Sequence, residues 1–245
     1  MDDTLRASLG PGVVHVWRIP LDDQAPASAL QPLLSSDERA RAARLFSDDL
    51  RAQFALAHGW LRRILASYVS VPAHSLQFDI APGGKPHLAL EHAERVEFNL
   101  SHSGDVALVA VAAGSAVGVD VERWKPKMEH VRVAERFFSD HERASLREQA
   151  SRTGDVMTGF YAAWTRKEAY LKARGDGIAR GLHHFDVELA TGSDARLIAD
   201  RLDEHAPSRW SMRELAVDDG YSAALVHNGP LRDIMRVDVT ATLRP

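Results

Sequence analysis

The sequence contains no cysteine. That excludes disulfides, thiolate metal sites and cysteine nucleophiles, and it suits a cytoplasmic protein. It has no uncharged apolar run of about 18 residues, so no transmembrane helix is expected. The opening MDDTLRASLGPG lacks a basic segment followed by an apolar stretch, so it does not read as a signal peptide. Neither a phosphate-loop nor a dinucleotide-binding glycine pattern is present. The His183-His184 pair is too isolated to make a zinc site. The formal net charge is only -4, which argues against bulk nucleic-acid binding. What remains is an ordinary globular balance over 245 residues, 45% hydrophobic and 26% charged, enough for one large domain or two small ones.

The chain reads as an internal duplication. Val14-His15-Val16-Trp17-Arg18 alternates like a strand, and so does Val119-Asp120-Val121-Glu122-Arg123. Each is followed by a helix start, at Ser36-Asp37-Glu38-Arg39 and at Ser139-Asp140-His141-Glu142-Arg143. Trp60 and Trp164 then mark helical segments 104 positions apart. Short strands at Leu76–Ile80 and His184–Glu188 follow. A strand pair closes each half, turning at Ser103-Gly104-Asp105 and at Asp218-Asp219-Gly220. The expected fold is therefore α+β. Two similar halves, 1–115 and 116–245, are related by a pseudo-twofold axis. Each half is a small, mostly antiparallel sheet packed on a long helix, and the active site lies in the cleft between them. The joint falls at Ala112 to Val117.

Several short segments can carry chemistry. Asp120 and Glu122 share one strand face, because side chains alternate with period two. The pair reads either as a solvated face partly neutralised by Arg123 or as an oxygen site for magnesium. In WTRKEAYLK, Trp164, Glu168 and Lys172 share a helical stripe, with Lys167 beside them. Glu168 reads as half of an exposed Glu-Lys pair, or as a general base or third metal ligand. His102, between Ser101 and Ser103, reads as a turn histidine or a phosphate contact. Lys85, on the stiff turn Gly83-Gly84-Lys85-Pro86, reads as a solvated charge unless other motifs join it. The same holds for the arginines at 39, 41 and 44.

Taken in order, GGKP (Gly83 to Pro86), FNLSHS (Phe98 to Ser103), GVDVE (Gly118 to Glu122), FFS (Phe137 to Ser139) and WTRKEAYLK (Trp164 to Lys172) resemble the phosphopantetheinyl transferases. The similarity is to the larger, single-chain, pseudo-dimeric type that activates peptide, polyketide and fatty-acid synthases. It covers roughly Ser36 to Gly181.

The resemblance implies transfer of the 4'-phosphopantetheine arm of coenzyme A to a serine of an apo acyl or peptidyl carrier protein, leaving adenosine 3',5'-bisphosphate. It implies that Asp120, Glu122 and Glu168 hold Mg2+, or Mn2+, together with the pyrophosphate. Glu168 would also activate the carrier serine, and Lys172 would stabilise the leaving group. Lys167 and His102 would face phosphates. Lys85 and Pro86, with Ser101 nearby, would meet the 3'-phosphate region, as would Arg39. Where some members carry a second basic residue, this chain has Ala42. A monomer in the cytoplasm is expected, with no nucleic-acid or membrane partner. A non-catalytic coenzyme A or carrier-binding module is the alternative, and a magnesium-dependent phosphodiesterase a third.

Overall fold

The computed structural model describes residues 3–22, 27–69, 71–89, 96–177, 181–191 and 195–239. In chain order the elements are α1 (Asp3–Ser8), β1 (Val13–Pro20), α2 (Ala27–Leu30), α3 (Ser36–Ala43), α4 (Asp48–Tyr68), β2 (Phe78–Ile80), β3 (Pro86–Leu88), β4 (Val96–Ser103) and β5 (Val106–Ala113). The second half follows with β6 (Val117–Arg123), α5 (His130–Phe137), α6 (Asp140–Thr153), α7 (Met157–Arg174), β7 (Phe185–Val187), β8 (Leu197–Asp200), α8 (Ala206–Arg209), β9 (Trp210–Leu215), β10 (Tyr221–Asn228) and β11 (Asp233–Asp238).

The duplication is visible in the strand order. The first sheet runs β11-β1-β5-β4 and the second β6-β10-β9, so the equivalents β1-β5-β4 and β6-β10-β9 keep the same sequence of neighbours. The core explains why the strands alternate as they do. On β5, Ala107, Val109 and Val111 pack toward α4, while Val106, Leu108, Ala110 and Ala112 turn to the other side. There they meet Val117, Val119 and Val121 of β6 and Leu225 of β10. The opposite face of β10, with Ala224 and Val226, packs into the cluster built on α7. Helix, sheet, sheet and helix thus stack in layers, and the central strands β5 and β10 are buried on both faces.

Matching devices start the helices that precede α4 and α7. Ser35 caps α3 and Ser139 caps α6, each reciprocated by a glutamate three residues on, Glu38 and Glu142. The equivalent caps are therefore Ser35 and Ser139, 104 apart like Trp60 and Trp164, rather than Ser36 and Ser139. Both glutamates are buried and meet a cation from the long helix: Arg62 Nε donates to Glu38 at 2.6 Å, and Lys167 Nζ to Glu142 at 2.6 Å.

One element departs from two self-contained halves. β11 leaves the second half and pairs parallel with β1, from Val13 against Asp233 to Arg18 against Asp238. No described helix is long and apolar enough to cross a membrane.

Candidate active site

The site forms where β4, β6 and α7 meet. α7 lies unusually close to β6 because Gly118 has no side chain. A Cβ there would sit 2.1 Å from the Ala169 carbonyl oxygen and 2.4 Å from the Ala173 nitrogen. This approach brings Glu168 and Lys172 over Asp120, two residues along the same strand face.

Asp120 is 3% exposed, so it is not a solvated strand residue. Its Oδ1 accepts hydrogen bonds from Lys172 Nζ at 2.5 Å and Ser101 Oγ at 2.9 Å. Its Oδ2 is buried without a hydrogen-bond partner. Burial pushes the Asp120 carboxyl up to about 7 against the pull of Lys172, and Glu122 and Glu168 push it further the same way. Glu168 is half-buried, and its carboxyl is also raised, first by burial, then by Glu122, against Lys172. Glu122 Oε2 accepts from Ser103 Oγ at 2.8 Å. Glu122 and Glu168 thus bear on Asp120, and Glu122 on Glu168, with the Lys172 ammonium opposing them. Among the described residues, no three histidine or carboxylate side chains form a ready-made cation cage.

The remaining expected residues scatter around this centre. Desolvation of its ring, and then the nearby His58 and Lys172, lower the pKa of His102 against the opposing pull of Glu122. Lys172 Nζ also donates to Ser101 Oγ at 2.8 Å, which ties Ser101 to the carboxylate centre. Pro86 lines a cavity of about 680 Å³ with Arg41, His58, Arg62, His74 and Gly84. On α3 it is Arg41 that borders this cavity; Arg39 is exposed and donates to the Leu34 carbonyl. Lys85 turns instead toward the joint, with Nζ donating to the carbonyls of Val117 at 2.9 Å and Ala173 at 3.3 Å. The turn that carries Lys85 presses on the end of α7 so tightly that a Cβ on Gly83 would meet the Gly175 carbonyl at 1.7 Å.

Lys167 is the clear correction. The resemblance implies that it faces phosphates, yet it is 0% exposed. Its Nζ is spent on Glu142 Oε1 and Oε2, at 2.6 and 2.7 Å, and on the Phe185 carbonyl at 2.6 Å. Adjacent helical residues differ by about 100° in direction, so Lys167 and Glu168 point to different surroundings. Lys167→Met is therefore expected to cost about 3–5 kcal/mol of stability by leaving Glu142 buried without its cation. Denaturant unfolding measures this. A variant of unchanged stability with weakened coenzyme A binding would return Lys167 to the cleft.

With this geometry in place, similarity to known proteins becomes informative. A profile described as "4'-phosphopantetheinyl transferase, N-terminal" matches residues 20–114, and the profile of the 4'-phosphopantetheinyl transferase superfamily matches residues 116–226. The 4'-phosphopantetheinyl transferase HetI of a Nostoc species is 41% identical over 220 residues, covering 88% of this chain and 88% of the relative. The chain belongs to the 4'-phosphopantetheinyl transferase superfamily. Two further superfamily relatives are the transferase psf-1 of Bacillus pumilus, 33% identical over 86% of this chain and 87% of the relative, and Sfp of Bacillus subtilis, 27% identical over 78% and 81%.

In this superfamily member, three residues near the site have a place to which the sequence reading assigns no role. His58 stacks on Phe54, with ring centroids 4.0 Å apart, and borders the Pro86 cavity. Nothing in its helical neighbourhood marks it out. Asn99 and Ser103 bond across to β6. Both lie in the FNLSHS motif, and the period-two spacing of Asn99, Ser101 and Ser103 matches that of residues 119, 121 and 123.

Proposed function

We propose that this chain transfers the 4'-phosphopantetheine arm of coenzyme A to a serine of an apo acyl or peptidyl carrier protein. The observation that carries the reading is the centre formed by buried Asp120 with half-buried Lys172 and Glu168 at the seam of a phosphopantetheinyl transferase fold.

The donor set fits a divalent metal. Asp120 Oδ2 is buried and unpartnered, two more carboxylates raise the cost of its charge, and hard cations take such oxygens along with waters and substrate phosphates. Asp120, Glu122 and Glu168 are the residues proposed to hold Mg2+. When bound, it supplies charge neutralisation at the pyrophosphate.

The chain's own residues do the rest. The raised carboxyl of Glu168 brings its basicity closer to neutral pH, and it takes the proton of the carrier serine hydroxyl. The serine oxygen bonds to the phosphorus that bears the pantetheine arm. The bond from that phosphorus to the bridging oxygen breaks, and adenosine 3',5'-bisphosphate leaves. The Lys172 ammonium, already aimed at this centre, stabilises the charge that collects on the leaving group. His102 is proposed to contact phosphate, and Pro86 and Arg41 to border the nucleotide end. Arg39 and Lys85 are held by backbone carbonyls and join only if those bonds open. β4 from the first half and β6 and α7 from the second meet at the seam, so one chain holds both sides of the site and the active species is proposed to be a monomer.

Incubation with coenzyme A, Mg2+ and an apo carrier protein, followed by intact mass measurement of the carrier, tests this. The expected result is a carrier heavier by one phosphopantetheine, with the activity eluting at the monomer position. Coenzyme A cleaved with the carrier unmodified would make the protein a phosphodiesterase. Binding of coenzyme A or carrier without turnover would make it a binding module.

A further inference from the structure

Edge strands leave a row of backbone N–H and C=O groups without ladder partners. β4 ends the first sheet and β6 begins the second, so two such edges meet at the seam. Their backbones do not pair. Side chains of β4 reach the β6 N–H groups instead: Val119 N donates to Asn99 Oδ1 at 2.9 Å, Val121 N to Ser101 Oγ at 3.3 Å, and Arg123 N to Ser103 Oγ at 3.1 Å. Both rows have period two, so the rungs stay in step. The seam continues into the turn, where Asp105 N donates to Tyr221 Oη at 3.0 Å and Arg123 Nη1 to Asp105 Oδ2 at 3.1 Å.

Two of the three rungs do a second thing. A serine hydroxyl that accepts from a fixed N–H has its own proton free for a partner on the other side. Ser101 directs that proton to Asp120 Oδ1 at 2.9 Å, and Ser103 directs its proton to Glu122 Oε2 at 2.8 Å. Asn99 holds only backbone. The orientation of each carboxylate on β6 is thus set by a serine from the opposite half of the molecule.

We infer that Ser103 is a positioning residue: it fixes the Glu122 carboxylate so that its second oxygen is presented to a divalent cation. It touches neither cation nor substrate and acts through Glu122. The inference rests on the proposed cation role of Asp120, Glu122 and Glu168. Residues that orient a metal's ligands typically change metal affinity about 10–100-fold when removed.

The test measures Mn2+ binding directly, by the loss of the free-ion electron paramagnetic resonance signal, on the whole chain without coenzyme A. Thermal unfolding is followed in parallel. Ser103→Ala is expected to weaken Mn2+ binding about 10–100-fold, and Ser103→Thr, which keeps the hydroxyl, to restore most of it. Asn99→Ala removes a rung of the same seam with no carboxylate beneath it. It is expected to lower the unfolding temperature and leave Mn2+ affinity near that of the parent. In a Glu122→Gln background the Ser103→Ala change is expected to add no further loss. Should Ser103→Ala fail to fold, Ser103→Cys supplies a weaker donor of similar size, and its Mn2+ affinity is expected to fall below that of Ser103→Thr. Parental Mn2+ affinity in the serine variants, or an equal loss in Asn99→Ala, would overturn the positioning role. A parent protein that binds no Mn2+ would instead overturn the cation reading beneath it.

Discussion

Glu168→Gln is expected to slow transfer to the carrier serine by about 10²–10⁴-fold while coenzyme A binding falls far less. Glutamine keeps the volume and much of the hydrogen bonding but cannot take a proton. Asp120 and Glu122 remain for the cation and Lys172 for phosphate, so affinity has other supports. The raised carboxyl of Glu168 is what fits it to this work, since burial and Glu122 outweigh the pull of Lys172. Trp164 lies one turn earlier, in an aromatic cluster with Phe137, Phe138 and Phe160, and its fluorescence offers a binding readout. Rapid-quench measurement of carrier modification supplies the rate. An unchanged rate would reduce Glu168 to an ion-pair partner of Lys172. Lost binding with a normal rate at saturation would leave it a ligand only.

Gly118→Ala is expected to harm fold and activity together. The added methyl meets backbone atoms of Ala169 and Ala173, which cannot swing aside as a side chain can. Overpacking of this kind costs about 1–3 kcal/mol and sometimes more, and a contact against main chain belongs at the upper end. α7 must withdraw from β6, and Glu168 and Lys172 withdraw with it from Asp120. Denaturant unfolding and the carrier mass assay are the measurements. A displacement of about 1 Å at such a centre can cost about 100-fold in rate. Native stability and native turnover in this variant would mean that the close approach positions nothing.

Glu168 and its neighbours at the centre also show what a linear reading reaches. Glu168 and Asp120 were singled out because strand and helix periods place them on recognisable faces. The paired helix starts, hairpins and tryptophans carried the duplication for the same reason. Lys167 was misplaced because α7 has no clean polar side: Thr165, Arg166 and Lys167 are all buried, so composition around the helix does not reveal which stripe meets the cleft. Arg166 is held by Glu214 at 2.8 Å, a partner 48 positions away. The burial of Asp120 was likewise illegible, because it depends on Ser101 and Lys172 arriving from two other elements. β11 is not among the strands read from the sequence, since Asp233–Asp238 is an edge strand whose apolar and polar residues follow no strict period-two alternation. Its parallel pairing with β1 is a long-range event that no local pattern encodes.

That last strand sets the order in which the molecule can be finished. Val239 belongs to the core beneath the first sheet, and Val237 packs against it, although both are made more than two hundred residues after β1. A ribosome releases the first half early, yet that half lacks an edge and part of its interior until the tail emerges. Closing so long a loop is entropically slow to reward, so the half synthesised first is completed last. Until then the open side of β1 is an unprotected edge on the growing chain, the kind of surface that chaperones cover and that misassembly exploits.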